Sequence, residues 1–127
     1  MYYAKMLGEK LRNDRINVWL VNTGWTGGCY GEGKRIDLHY TRAMVSAALN
    51  GDLEKVFYQT HRIFGIQIPM SCPGVFNRLL NPENAWADKA AYNNAAVKLA
   101  ASFQMNFEQY SNFATDKFEK GGPVLAK

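Results

Sequence analysis

Cysteine is scarce in this chain: Cys29 and Cys72 stand far apart, with no C-x-x-C pair and no histidine at zinc-ligand spacing. That argues against a disulfide scaffold and a structural zinc site, and points to two reduced thiols. Neither thiol has neighbours in sequence that would activate it as a nucleophile. Long hydrophobic runs are missing too. No apolar stretch approaches the ~20 residues that cross a bilayer, and Met1-Tyr2-Tyr3-Ala4-Lys5 lacks a hydrophobic signal core. The expectation is a cytoplasmic protein with no membrane partner. Charge of either sign is in modest excess only: 15 Lys and Arg against 11 Asp and Glu give a net charge of +4. Nucleotides, phosphorylated metabolites and nucleic acid all suit that excess, and it selects none of them.

What is present suits a folded domain. The 127 residues are 47% hydrophobic and 13% aromatic, which argues against a disordered or collagen-like chain and leaves room for one modest core. Residues 1–127 are read as a single domain, with 117–127, around Gly121-Gly122-Pro123, as a flexible tail or surface strap. Tyr3, Leu7 and Leu11 recur at helical spacing with no capping residue before them, so the first helix looks cut at its start. Val18-Trp19-Leu20-Val21 is an unbroken apolar run of strand formers, predicting a strand over 17–22 that is covered on both faces. A glycine-rich loop follows, and Ile36, Leu38 and Tyr40 alternate as in a strand over 35–39.

Residues 41–50 read as a helix, with Thr41 a candidate cap and Gly51 just past its end. Two short strands are expected at 56–58 and 63–68, closed by Pro69, and turns around Cys72-Pro73-Gly74 and Asn81-Pro82. Asp88 is placed to cap a long last helix whose Tyr92, Ala96, Leu99, Phe103, Phe107, Tyr110 and Ala114 form one packing stripe. The fold class is therefore mixed α/β, with helices on a small mixed sheet.

The glycine loop is the one site-like feature. Gly28 to Lys34 satisfies the G-x-x-x-x-G-K part of a phosphate-binding loop, whose backbone amides and lysine hold phosphates. The match then fails, because Arg35 stands where a Ser or Thr should hold Mg2+, and a strand-like run follows where a helix should. What remains is a basic exit, Lys34 and Arg35, with rings at Trp25 and Tyr30 and with Thr41 and Arg42 shortly after. An arginine plane stacks on a base, and a hydroxyl bonds a sugar or phosphate. An ordinary hairpin with a solvated basic tip fits the same residues. His39 and His61, the latter in a polar turn, have no partners at ligand spacing, so no metal ligand and no catalytic residue is assigned.

Val18-Trp19-Leu20-Val21-Asn22-Thr23-Gly24-Trp25-Thr26-Gly27-Gly28, Gly33-Lys34-Arg35-Ile36 and Tyr40-Thr41-Arg42-Ala43 closely resemble the C-terminal region of ATP-dependent phosphoenolpyruvate carboxykinase. Phe64-Gly65, Cys72-Pro73-Gly74-Val75, Leu80-Asn81-Pro82-Glu83-Asn84 and Trp86-Ala87-Asp88 continue the resemblance in the same order. It implies the C-terminal mononucleotide-binding part of that fold. It also implies an enzyme, a carboxy-lyase that converts oxaloacetate and ATP to phosphoenolpyruvate, ADP and CO2 in gluconeogenesis with Mg2+ and Mn2+. On the matching positions it implies ATP contacts at Arg35, Ile36 and Thr41, with Lys34 and Arg42 as loop support. Capping and ligand contact compete for Thr41. Cys29 departs from the proline of many relatives. The family's phosphate loop, metal ligands and oxaloacetate-binding arginines precede the matched region, so the resemblance implies a C-terminal piece that is inactive alone and whose partner is the missing N-terminal part. A free-standing nucleotide- or RNA-binding module and a non-catalytic packing domain are the alternatives, nucleic acid being the less favoured partner.

Overall fold

A computed structural model describes residues 2–13, 16–28, 31–110 and 121–124. Cys29, Tyr30, Ala114 and most of the tail lie outside the described residues. Helix α1 (Tyr2–Asn13) ends on Lys10 and Arg12, which suit the negative end of its dipole. Its Tyr3 and Leu7 are largely exposed. Residues 16–24 then run without regular structure. The strand expected over 17–22, covered on both faces, is not formed: no ladder partner is present among the described residues, and Val18 and Leu20 are 62% and 84% exposed. Apolar strand formers need a neighbour to hydrogen-bond, and propensity alone supplies none.

β1 (Trp25–Thr26) pairs antiparallel with β2 (Lys34–Arg35), Trp25 opposite Arg35 and Thr26 opposite Lys34. The strand expected over 35–39 stops at Arg35. Asp37 accepts a hydrogen bond from the His39 amide at 3.0 Å and so starts helix α2 (Leu38–Leu49), three residues before the expected Thr41. Short polar side chains at such a position favour the cap over continued extension. Gly51, just beyond, takes φ +74° as expected of a helix end and leads into a 3-10 turn, Asp52–Lys55.

β3 (Tyr58–Thr60) and β4 (Gln67–Pro69) form a second antiparallel pair, with Gln59 opposite Ile68. Both sit later than expected because the imidazole of His61 accepts the amides of Ile63 and Phe64, which holds 61–66 as a turn. A turn forms at Pro73-Gly74 as expected, a short helix α3 (Asn77–Leu80) follows, and the short helix α4 (Pro82–Ala85) stands where the second turn was expected, capped by Asn81 with Pro82 in its first turn. Two small antiparallel sheets with helices around them make the chain mixed α/β.

Helix α5 (Lys89–Glu108) is capped by Asp88, which accepts from the amides of Ala90 and Ala91 at 2.8 and 3.1 Å. Asp88→Ala is expected to lower stability by about 1 kcal/mol, read as a drop of a few degrees in Tm; an unchanged Tm would contradict the cap. Of the six described residues of the expected stripe, only two are core. Tyr92 and Ala96 are buried with Ala100, whereas Leu99 and Phe103 are about half exposed and Phe107 and Tyr110 are also open. Beyond Ala100 the cover thins, with Phe64 meeting Phe103 edge-on at 6.3 Å. Among the described residues the core forms two clusters. Ala47, Leu53, Cys72 and Val75 form one, with Trp19, Met44 and Leu80 against it; Ile63, Tyr92, Ala96 and Ala100 form the other, with Phe64 and Trp86.

Candidate nucleotide site

The β1–β2 hairpin depends on glycine where its backbones cross. A Cβ on Gly33 would lie 2.7 Å from the carbonyl oxygens of both Thr26 and Gly28, a distance no side chain tolerates. Gly27, at φ +80°, would push a Cβ to 3.0 Å from the carbonyl of Ala85, so the hairpin also sits close to α4. That closeness holds the hairpin exit in place. Lys34 and Arg35 leave it exposed, and Ile36 is buried at 8% with its amide donating to the Gly24 carbonyl at 2.8 Å.

The chain then turns directly into α2. Asp37 is held below the usual carboxylate range, first by the His39 amide and then by the His39 side chain, whose Nδ1 lies 2.8 Å from its oxygen. With Asp37 as the cap, Thr41 is released from that role. It lies half-buried in the first turn, and among the described residues its hydroxyl has no hydrogen-bond partner. Arg42 follows on the exposed side. Lys34, Arg35, Thr41 and Arg42 thus come from one strand-to-helix corner with Ile36 beneath it. Because Lys34 lies in strand β2, with Arg35, Ile36 and Asp37 between it and α2, the corner is not a true phosphate-binding loop.

Elsewhere the side chains do other work. An apolar cavity of about 570 Å³ lies between residues 17–21, α2 and β3, and none of residues 34–42 lines it. Burial raises the Cys72 thiol, with Asp52 adding to the effect, which keeps it protonated and inert. His61 was expected in a polar turn, yet it is 9% exposed, with Nε2 2.7 Å from the Tyr92 hydroxyl. Sequence reading missed this pair. Ile63 and Phe64, two and three residues after His61, were its only signal, since they mark a turn that folds inward.

A residue-by-residue comparison decides the family. The family model described as phosphoenolpyruvate carboxykinase matches residues 1–78, more than half of the chain. The chain belongs to this family. A phosphoenolpyruvate carboxykinase (ATP) of Flavobacterium johnsoniae is 49% identical over 122 residues, 96% of this chain. Proteins of the same name from Bacillus cereus and Bacillus anthracis are 52% identical over the same share. The chain spans 23% of the length of these carboxykinases. No helix among the described residues is long and apolar enough to cross a membrane.

Proposed function

We propose that the chain supplies the adenine side of the ATP site of a cytoplasmic phosphoenolpyruvate carboxykinase, acting in gluconeogenesis on oxaloacetate and ATP. The observation that carries this is the corner itself: an exposed arginine on a glycine-locked hairpin, a buried isoleucine behind it, and a threonine whose hydroxyl the Asp37 cap leaves unused. Arg35 offers a flat cation that stacks on a purine and cannot lose its charge. Ile36 backs the corner with an apolar floor, and the Thr41 hydroxyl donates to, or accepts from, a sugar or base. Lys34 and Arg42 add positive potential for the phosphates.

Divalent ions do not belong to this corner. Among the described residues no three His, Cys, Asp or Glu side chains converge, so the residues here do not fit Mg2+ or Mn2+, and no step is assigned to either ion.

The test replaces the matched segment of the Bacillus cereus carboxykinase with this chain. Arg35→Ala in that hybrid is expected to raise the KM for ATP about tenfold, as loss of roughly 1.4 kcal/mol of binding does, with a smaller change in kcat. An unchanged KM would remove Arg35 from the site. Binding of a short RNA by the isolated chain, tighter than ATP and lost in Arg35→Ala, would favour a free-standing RNA module instead.

A further inference from the structure

The strap at Gly121 to Val124 is tied down at two points. Among the described residues its hydrogen bonds run from the Val124 amide to the Ile63 carbonyl, at 2.7 Å, and from Gln104 Nε2 on α5 to the Pro123 carbonyl, at 3.0 Å. Val124 is 66% exposed and both glycines are open to solvent. A surface hydrogen bond of this kind shifts a population by about tenfold, so the strap is fastened only lightly.

Its anchor on Ile63 is coupled to a titratable group. The peptide joining Ile63 to Phe64 is held from both ends: its N–H, the Phe64 amide, donates to His61 Nδ1 at 3.2 Å, and its C=O accepts from Val124. A peptide unit is planar, so its N–H and C=O point opposite ways and turn together. The Ile63 amide donates to the same Nδ1, also at 3.2 Å, and the Tyr92 hydroxyl pairs with Nε2 at 2.7 Å. The ring is therefore fixed with its Nδ1 lone pair aimed at the turn. A proton on Nδ1 inverts that arrangement, because a buried donor then faces two donors. Rotating the 63–64 peptide relieves the clash by swinging the Phe64 N–H away and bringing the Ile63 carbonyl toward the new Nδ1–H. The same rotation takes that carbonyl from Val124. One acceptor has two claimants, the imidazolium and the strap.

The charges around the ring set where the exchange occurs. Among the described residues Arg62, on the same turn, opposes a proton on His61, and Glu83 of α4 favours it; those two approach each other at 3.7 Å. From α5 come Tyr92, whose phenol burial keeps protonated, Asn93, which accepts from Arg62 at 2.9 Å, and Lys89, which donates to the Glu83 carbonyl. Burial holds the His61 pKa below its ordinary value, so proton and strap compete below about pH 6.5.

We propose that the C-terminal strap is a proton-released latch: protonation of His61 rotates the 63–64 peptide, withdraws the Ile63 carbonyl from Val124 and frees residues 121–124 from the second core cluster while the rest of the fold stays closed. The latch is independent of the nucleotide reading.

NMR of the 15N-labelled 127-residue chain, from about pH 8 to about pH 5, tests it. Imidazole nitrogen shifts follow the His61 proton, and exchange of the Val124 amide, corrected for its intrinsic pH dependence, follows the latch. Val124 is expected to be about tenfold protected above the His61 midpoint and to lose that protection through it, while Ala100, fully buried in α5, keeps its own. Linkage demands the reciprocal effect. Val124→Pro removes the strap's donor and is expected to make His61 titrate about one pH unit higher, with Ala100 still protected. Gln104→Ala, which cuts the other tie, is expected to shift it the same way by less. A contact that only stabilises the tail would leave His61 unmoved in both. Val124 protection that ignores the His61 titration overturns the proposal. So does an unmoved His61 midpoint in Val124→Pro, or Ala100 opening together with Val124, since the chain is then unfolding as a whole.

Discussion

The chain by itself is expected to make no phosphoenolpyruvate from oxaloacetate and ATP, while the Bacillus cereus hybrid carrying it turns over. Phosphoryl transfer spreads negative charge over the transferred group, and catalysis consists of aligning both reactants and opposing that charge with metal ions and fixed cations. The corner formed by Lys34, Arg35, Thr41 and Arg42 offers cations on one side. Among the described residues no three His, Cys, Asp or Glu side chains converge to hold a metal ion. Bound ATP there would have its purine located and its reacting end unassisted. Enzymes lower barriers enough for accelerations of about a millionfold or more, and binding at a remote group gives none of that unless it is converted into alignment at the reacting atoms. An assay coupled to phosphoenolpyruvate release settles the matter. Turnover above the buffer rate by the purified 127-residue chain, abolished in its Arg35→Ala variant, would overturn the expectation.

His61→Ala is expected to destabilise the chain by about 3 kcal/mol at neutral pH. His61 Nδ1 accepts the amides of Ile63 and Phe64, both at 3.2 Å. That assigns the ring proton to Nε2, which donates to the Tyr92 hydroxyl at 2.7 Å. Removing the ring leaves two amides and one hydroxyl without partners at the second core cluster, as well as a void. Tyr92→Phe, which strands only the Nε2 proton, is expected to cost about 1 kcal/mol. Urea unfolding checks both, and similar losses in the two variants would contradict the arrangement.

The same geometry sets a pH dependence. Burial lowers the His61 pKa below the ordinary histidine value, the neighbouring Arg62 adds to this, and Glu83 opposes it. Burial also raises the Tyr92 phenol, so that partner stays protonated across the range. A protonated His61 would turn a donor toward two donor amides. Between the lowered folded pKa and about 6.5 the unfolded chain binds the additional proton, so stability falls with pH across that interval. Above about 6.5 the contribution is complete, and below the folded pKa the loss levels off. Unfolding free energy followed from about pH 8 to about pH 5 should therefore decline more steeply for the native sequence than for His61→Ala; parallel profiles would remove His61 as the titrating group.

Both histidines show where sequence reading reaches its limit. His39 reads as part of an alternating strand, and instead it opens a helix, because one hydrogen bond from its amide to Asp37 outweighs the pattern of Ile36, Leu38 and Tyr40. That cap was present in the sequence as an Asp before an apolar run, and the competing period-2 pattern obscured it. His61 differs in kind. Its burial depends on Tyr92, 31 positions away, and no local window contains that contact. The stripe on α5 divides similarly: spacing identifies Tyr92 and Ala96 as inward, but whether Phe107 is covered depends on what lies against the helix.

Sequence alone was enough to identify the family, the mixed α/β class, the Asp88 cap and the glycine corner with its basic exit. Each of these rests on residues close together in the chain, on local backbone preferences or on recognisable order. Tertiary structure alone decided that Asp37 and not Thr41 caps α2, that His61 is a core group, and that residues 16–23 run unpaired over an apolar cavity. Those outcomes turn on which backbone and side-chain groups find partners across space. The Val18-Trp19-Leu20-Val21 run shows the difference most plainly. Its residues dictate that it wants two covered faces and two paired edges, and only the fold reveals that the described chain covers one face in part and pairs neither edge.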